Sequence, residues 1–250
     1  MDAHRPPAPS AAWAFFLDVD GTLLHLAATP DAVRLTPDTA AVVRALHRAT
    51  GGATALVSGR AIADLDAIFG APPLPAAGQH GFERRGSASA IQRDDLDARR
   101  LDAARQRLAS VVDAHQGLLL EDKGHSLALH YRGAPAHAAV ADHTMRGLAR
   151  ELGADYRIQR GKHVLELRPR AGDKGEAITA FLLEPPFADR IPVFVGDDLT
   201  DEDAFAVVES LGGHSVKVGE GPSRARWRLH DPDAVREWLA RALAPDARDS

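Results

Sequence analysis

Short apolar runs alternate with stretches of helical spacing in the first third of the chain and again in the last third. This rhythm predicts strands and helices in turn. The predicted strands are 14–18, 53–57, 74–78, 191–195 and 215–218. The predicted helices are 36–50, 61–69, 173–184, 201–210 and one near 232–243. Because alternating strands and helices form parallel sheets with right-handed crossovers, the pattern predicts an α/β fold with a Rossmann-like parallel-sheet core.

The middle of the chain, about 84–170, has a different rhythm. Its predicted elements are a helix at 94–115, a strand pair around 121–124, a helix at 136–152 and a second strand pair around 160–161. This αββαββ order indicates an antiparallel sheet with two helices, and it is far too long for a loop. The expected organisation is a disordered tail at 1–12, a Rossmann-like core at 13–83 and 170–250, and an inserted α+β cap domain at 84–169.

The composition narrows the class of protein. With 250 residues, of which 45% are hydrophobic, the chain can bury enough core for two domains. It has no cysteine, which excludes disulfides, thiolate zinc sites and a cysteine nucleophile. No apolar run approaches the roughly 20 residues of a membrane span, and the Pro/Ala-rich start lacks a signal-peptide pattern. We therefore expect a soluble, cytoplasmic protein that does not contact a membrane.

The charge of the chain bears on its partners. A net charge of −5 argues against nucleic acid as a partner. An anionic substrate would have to be bound by local basic residues, because the overall field would not attract it.

The run Phe15 to Thr22 carries the first candidate chemistry. Asp18 and Asp20 end an apolar strand, and since strand side chains alternate, the two carboxylates lie on one side. Gly21 then lets the backbone turn without a Cβ clash. Two carboxylates at a strand end can share a hard cation and leave one oxygen free to attack an electrophile. The structural alternative is a strand followed by an acidic turn.

Two smaller polar motifs lie at similar positions. Ser58-Gly59-Arg60 ends the second strand, where a hydroxyl and a helix N-terminus can hold a phosphate oxygen. The alternative role of Ser58 is that of a helix N-cap. Lys174 opens a helix and is either a point charge on a phosphate or a solvated lysine.

The acidic run at 196–203 follows a buried strand. Five acids in seven positions are costly there unless a cation or a helix N-terminus offsets them. Asp201, Glu202 and Asp203 are expected in the first turn of a helix. Asp197, nearest the strand, is the metal candidate, and ligands that are all oxygen suit Mg²⁺.

In this order, Asp-x-Asp-Gly-Thr, Ser-Gly-Arg, a lysine before a helix and Gly-Asp-Asp-x-x-Asp resemble the haloacid dehalogenase superfamily of phosphohydrolases. The resemblance implies that Asp18 attacks phosphorus to form an aspartyl-phosphate. It implies that Asp20 protonates the leaving oxygen and then activates water. Mg²⁺ would be bound by Asp18, the carbonyl of Asp20 and Asp197, while Ser58 and Lys174 would hold the phosphoryl group.

Further motifs in the inserted segment and in the core narrow the resemblance to one family. Gly78-Gln79-His80-Gly81, Glu121-x-Lys123, 127–132, 161–169 and the stretch from Pro192 to Trp227 are similar to the trehalose-6-phosphate phosphatase family. The resemblance implies trehalose 6-phosphate as substrate and allows for functional coupling to a trehalose-phosphate synthase. The substrate-binding residues it suggests are Gly21, Arg60, Gln79, His80, Glu121, Lys123, His130, Arg132, Lys162 and Glu166.

Strand alternation gives a separate argument for a binding face in the inserted domain. Ser126, His130 and Arg132 share one face of their strand, as do Lys162, Val164, Glu166 and Arg168 on theirs. Such a face can hydrogen-bond sugar hydroxyls, or it can be an ordinary solvated face.

Two rival functions remain open. One is a phosphatase of another sugar phosphate, such as sucrose 6-phosphate. The other is a catalytically silent regulatory domain that binds a sugar phosphate or a synthase. The intact set Asp18, Asp20, Lys174 and Asp197 argues against the silent domain.

Overall fold

The computed structural model describes residues 5–25, 35–86, 90–93, 98–161, 163–170 and 172–243. The chain divides into two compact units. The core unit comprises Met1–Arg93 and Asp173–Ser250, and the inserted unit, Asp94–Gly172, interrupts it in sequence. The predicted insertion began at 84, whereas the division falls at 94, because the strands Glu83–Arg85 and Gln92–Arg93 extend the sheet of the core unit.

The strands and helices follow in chain order. Before the insertion they are β1 (Trp13–Leu17), α1 (Pro37–Ala49), β2 (Thr54–Val57), α2 (Ile62–Phe69), β3 (Ala76–Gly78), β4 (Glu83–Arg85) and β5 (Gln92–Arg93). In the inserted unit they are α3 (Asp102–Ala114), β6 (Leu119–Asp122), β7 (Leu127–His130), α4 (Ala138–Leu152), β8 (Tyr156–Gly161) and β9 (Val164–Pro169). After it come α5 (Lys174–Leu182), β10 (Ile191–Gly196), α6 (Glu202–Ser210), β11 (His214–Val218), β12 (Trp227–Leu229) and α7 (Pro232–Ala240).

One sheet forms the centre of the core unit, in the order β12-β11-β10-β1-β2-β3-β4-β5. The strands from β12 to β3 are parallel, and β4 and β5 are antiparallel. Central β1 is buried on both faces, with Phe15 in the apolar cluster of α1, α2 and α7 and Phe16 in that of α5 and α6. Burial on both faces explains its continuous apolar run. The predicted Rossmann-like core is confirmed.

Sequence patterns missed the two outer parts of this sheet. In β4 the residues are Glu83, Arg84 and Arg85, which do not look like a strand, yet Arg85 is buried and forms a bidentate pair with Asp66. Strand β12 is only three residues long and contains an arginine. Charged side chains that find partners in the fold can occupy strands that propensity would not predict.

The inserted unit is an antiparallel sheet in the order β6-β7-β9-β8. One sheet face carries Leu129, Leu165 and Leu167, which pack with Leu108 of α3 and Met145 of α4. The opposite face is polar. The predicted α+β insertion with two helices and four strands is therefore confirmed.

Part of the predicted tail is described. Residues 5–12 have no regular structure. The Pro7 carbonyl accepts a 2.8 Å hydrogen bond from the Trp238 indole, and the Ala11 carbonyl accepts one of 2.8 Å from Arg190. This segment therefore contacts the core unit, while residues 1–4 lie outside the described residues. Among the helices in the described ranges, none is long and apolar enough to cross a bilayer.

Candidate active site

The carboxyl ends of β1, β2 and β10 meet at one edge of the parallel sheet. Asp18, Ser58 and Asp197 directly follow these three strands, so the topology brings them together. The Asp18 amide donates to the Val195 carbonyl at 3.0 Å, which ties the end of β1 to β10. This edge is where ligands bind in open α/β sheets.

Lys174 is buried at the centre of this edge. It is the first residue of α5, whose N-cap Asp173 accepts a hydrogen bond from the Glu176 amide at 2.7 Å. The Lys174 ammonium donates to Asp18 Oδ1 at 2.7 Å and to Asp201 Oδ1 at 2.5 Å. At 3% exposure it is not a solvated surface lysine. Burial would lower the pKa of Lys174, but the charges of Asp18 and Asp201 outweigh it and raise that pKa.

Asp201 has a contact that the sequence did not predict. It lies in the short helical turn Leu199–Asp201 that leads into α6, as expected for an acid in a first helical turn, and it is fully buried beside Lys174. Its Oδ2 accepts the Asp198 amide at 2.9 Å, in a capping box with Asp198. A Cβ on Gly196 would lie 2.4 Å from Asp201 Oδ2, so only glycine fits there. The signal that could have identified Asp201 is its spacing of three residues after Asp198, which is typical of a capping box.

Asp18, Asp197 and Asp201 each offer a carboxylate oxygen, and these oxygens lie within 4.8 Å of one another. Burial raises the pKa of Asp18 well above its ordinary value, with Asp201 and Asp197 adding to the rise and Lys174 opposing it. Burial, followed by the charges of Asp201 and Asp198, raises the pKa of Asp197 to about 6. The cluster has three carboxylates, and the one ammonium of Lys174 bonds only to Asp18 and Asp201, so Lys174 does not balance all of the negative charge. An oxygen-only cluster with this excess charge fits a hard divalent cation.

Gly21 lets Asp197 approach the turn after β1. Its φ is +81°, and a Cβ there would lie 2.0 Å from Asp197 Oδ2. Gly21 was predicted as a substrate-binding residue, and in the structure its Cα faces the Asp197 carboxylate. A glycine is required at this position both by the backbone conformation and by the close approach.

Asp20 and Arg60 form a bidentate ion pair. Arg60 Nε and Nη2 each donate to one Asp20 oxygen, both at 2.7 Å. Ser58 is buried, and its Oγ accepts the Arg60 amide at 3.2 Å. The N-cap of α2 is Ala61, so Ser58 does not have its alternative role as helix cap.

Gln79 and His80 form the turn after β3. Both have positive φ, +49° and +60°, which is uncommon for residues other than glycine. The Gln79 amide donates to the Arg60 carbonyl at 2.8 Å and the His80 amide to the Ser58 carbonyl at 2.9 Å. A Cβ on Gly59 would lie 2.7 Å from His80 Nε2. The two predicted substrate residues are therefore packed against the Ser58 loop in a strained turn, a feature that clusters at functional sites.

Four of the other predicted substrate residues lie on the polar sheet face of the inserted unit. Glu166 Oε1 accepts Ser126 Oγ at 2.7 Å and Lys123 Nζ at 3.4 Å. On the neighbouring strands, His130 Nε2 and Glu121 Oε2 are 2.9 Å apart. The face is thus a connected hydrogen-bonding network, and Glu166 is only 8% exposed within it.

Arg132 and Lys162 are the last two of the predicted substrate-binding residues. Arg132 was expected on the same strand face, but β7 ends at His130, and Arg132 is exposed in the turn that follows. Lys162 lies outside the described residues. Arg168, in contrast, is nearly buried on this face and donates to Gln159 Oε1 at 2.7 Å and to the Gly172 carbonyl at 2.6 Å.

Comparison with known proteins first defines the class. The phosphatase BT1666 of the HAD superfamily, from Bacteroides thetaiotaomicron, superposes with a TM-score of 0.61, covering 94% of this chain and 96% of that one at 15% identity. The C-terminal domain of a trehalose-6-phosphate phosphatase from C. albicans superposes with a TM-score of 0.79, covering 92% and 93% at 23% identity. The fold is that of the HAD superfamily of phosphatases.

Sequence comparison then identifies the family. The trehalose-phosphatase family model matches residues 16–233. Trehalose-6-phosphate phosphatase of Escherichia coli (strain K12) is 43% identical over 236 residues, which cover 93% of this chain and 87% of that protein. The chain belongs to the trehalose-phosphatase family.

Proposed function

We propose that this protein hydrolyses trehalose 6-phosphate to trehalose and phosphate through an aspartyl-phosphate on Asp18. The observation that carries the proposal is the buried Asp18 carboxylate bound by Lys174 at the carboxyl edge of the sheet, in a chain of the trehalose-phosphatase family. Phosphoryl transfer mostly requires positioning and neutralisation of charge, and this site is built for both.

The geometry suggests how Asp18 acts. Lys174 holds Asp18 Oδ1, so Oδ2 is the oxygen that attacks phosphorus, in line with the leaving sugar oxygen. The new bond joins Asp18 to phosphorus, and the bond from phosphorus to the sugar oxygen breaks. Lys174 and the Ser58 hydroxyl would hold the oxygens of the phosphoryl group.

Asp20 is proposed to transfer protons in both halves of the reaction. It would give a proton to the leaving sugar oxygen and then take one from the water that attacks the aspartyl-phosphate, which releases phosphate and restores Asp18. Both Asp20 oxygens accept hydrogen bonds from Arg60. A substrate phosphate competes with Asp20 for Arg60, so its arrival would free the Asp20 carboxyl for this role.

The site residues fit Mg²⁺, which we propose as the cofactor. Asp18 and Asp197, with the main-chain carbonyl of Asp20, would hold the ion. Both Asp201 oxygens accept hydrogen bonds, from Lys174 and the Asp198 amide, and its carboxylate adds negative charge to the cluster. When bound, Mg²⁺ neutralises charge on the phosphoryl oxygens.

A phosphate-release assay over a panel of sugar phosphates tests the proposed function. We expect kcat/KM for trehalose 6-phosphate to exceed that for sucrose 6-phosphate and glucose 6-phosphate by at least about tenfold, which is ~1.4 kcal/mol of discrimination. A preference for sucrose 6-phosphate would favour the other sugar phosphatase. No hydrolysis of any member would favour the silent regulatory domain.

The polar face of the inserted unit is proposed to select the sugar. Glu166→Gln keeps the side-chain shape but removes the charge that Ser126 and Lys123 surround. We expect kcat/KM for trehalose 6-phosphate to fall about 10- to 100-fold, as for loss of a charged hydrogen bond worth ~1.5–3 kcal/mol. The same variant should hydrolyse p-nitrophenyl phosphate nearly as well as the wild type, because a small aryl phosphate lacks the sugar.

Glu151→Gln is the matched control, since Glu151 is an exposed residue of the same unit that pairs only with Arg107 among the described residues. It should change neither activity. Equal losses on both substrates in Glu166→Gln would contradict a role in substrate selection. No loss on either substrate would mean that Glu166 belongs to an ordinary solvated face without a role in binding. The cytoplasmic location and the coupling to a trehalose-phosphate synthase stay predictions from the sequence.

A further inference from the structure

Lys217 is a buried lysine that none of the proposed steps uses. It lies in β11 directly opposite Gly196 of β10 and is 6% exposed. Its ammonium donates to the main-chain carbonyl of Asp197 and, at 2.6 Å, to the carbonyl of Val218. Lys217 therefore links the loop after β10, which contains Asp197, to the end of β11.

The partners of Lys217 are unusual for a buried cation. Within the part of the chain that the structure describes, it forms no ion pair, and both of its acceptors are neutral carbonyls. A buried charge without a paired counter-charge is costly, so an apolar side chain of the same length would serve stability as well or better. Fold stability therefore does not explain why a lysine occupies this position.

The surroundings of Lys217 supply a reason. Asp197 carries its carboxylate against Gly21, in the cluster with Asp18 and Asp201. The bond from Lys217 to the Asp197 carbonyl fixes the peptide from which this carboxylate projects.

We propose that Lys217 is a positioning residue for the cation site: its hydrogen bond to the Asp197 carbonyl holds the Asp197 carboxylate in its ligating orientation. This inference rests on the proposed function only in placing the cation at Asp18 and Asp197. Groups that orient metal ligands typically account for about 10- to 100-fold of metal affinity.

The test compares Mg²⁺ affinity in Lys217→Met and in the wild type, by calorimetry and by the Mg²⁺-dependent rise in Tm, without substrate. We expect the Mg²⁺ dissociation constant of Lys217→Met to rise about 10- to 100-fold. The Tm without Mg²⁺ should stay equal or rise, because an unpaired buried charge is removed. In turnover assays the half-saturating Mg²⁺ concentration should rise, and excess Mg²⁺ should restore most of kcat.

Arg228→Met is the matched control. Arg228 lies opposite Lys217 on β12 and also donates to main-chain carbonyls, those of Gly219 and Gly221, but not to Asp197. It should leave Mg²⁺ affinity unchanged. If Lys217→Met does not fold, Lys217→Leu, which also lacks a hydrogen-bond donor, is measured in the same way with the same expected direction.

An unchanged Mg²⁺ affinity in the folded Lys217 variant, or an equal loss in Arg228→Met, would overturn the inference. A lower Tm without Mg²⁺ at unchanged affinity would make Lys217 a structural residue and overturn it as well. If the wild type binds Mg²⁺ but does not hydrolyse trehalose 6-phosphate, the proposed function fails while a weakened Mg²⁺ affinity in Lys217→Met still supports this role.

Discussion

Replacing Asp18 by asparagine is expected to abolish turnover of trehalose 6-phosphate while the protein stays folded. The amide has the shape of the carboxylate but cannot form the acyl phosphate, so the covalent route is closed. We expect kcat to fall by at least about 1000-fold, or ~4 kcal/mol in the barrier. Phosphate release measures the effect, and Tm measures folding.

Asp113→Asn is the control for a loss of one negative charge, since Asp113 is an exposed residue of α3. It should leave kcat unchanged. Lys174 keeps its bond to Asp201 in Asp18→Asn, so the buried ammonium retains a counter-charge and the fold is not expected to be lost. If the variant keeps activity within about tenfold of wild type, a barrier change of only ~1.4 kcal/mol, Asp18 is not the nucleophile.

Removal of divalent cations is expected to stop turnover completely and reversibly. Asp18, Asp197 and Asp201 concentrate negative charge where an anionic phosphate must bind, and the single ammonium of Lys174 pairs with only part of it. Without a cation the remaining carboxylates repel the substrate phosphate and the developing charge. The measurement is phosphate release in excess EDTA, followed by addition of Mg²⁺.

Mg²⁺ added beyond the EDTA concentration should restore the initial rate, which excludes damage by the chelator. Ca²⁺ in the same protocol is a second control, because its larger size and longer ligand distances suit the in-line geometry less well. Rates that do not change in EDTA would mean that the carboxylate cluster has a structural role and that the proposed cofactor is wrong.

Much of the core could be predicted from sequence because its signals are local. The run Phe15 to Leu17 is apolar at every position because β1 is buried on both faces, and such runs identify a central strand. Asp18 and Asp197 were identified because they directly follow predicted strands. In a parallel sheet, strand ends that are far apart in sequence meet at one edge.

Partners that come from distant segments were beyond the sequence pattern. The pair of Asp20 with Arg60 spans 40 positions, and that of Lys174 with Asp18 spans 156. Arg132 was misplaced because β7 ends two residues before it, and strand ends are set by pairing with neighbouring strands, not by composition. Strand β4 was missed because its charged residues acquire partners only in the folded chain.

The sequence by itself determined the order of the helices and of the strands other than β4, β5 and β12, the inserted α+β unit, and which acids end the strands, since each of these depends on residues close together in the chain. Only the tertiary structure decided what the charges do. It buries Asp201 beside Lys174, which its predicted place in the first turn of a helix did not indicate, and it places the ammonium of Lys217 on the Asp197 carbonyl. The physical reason is that burial and charge pairing depend on the three-dimensional neighbours of a side chain, which local sequence does not specify.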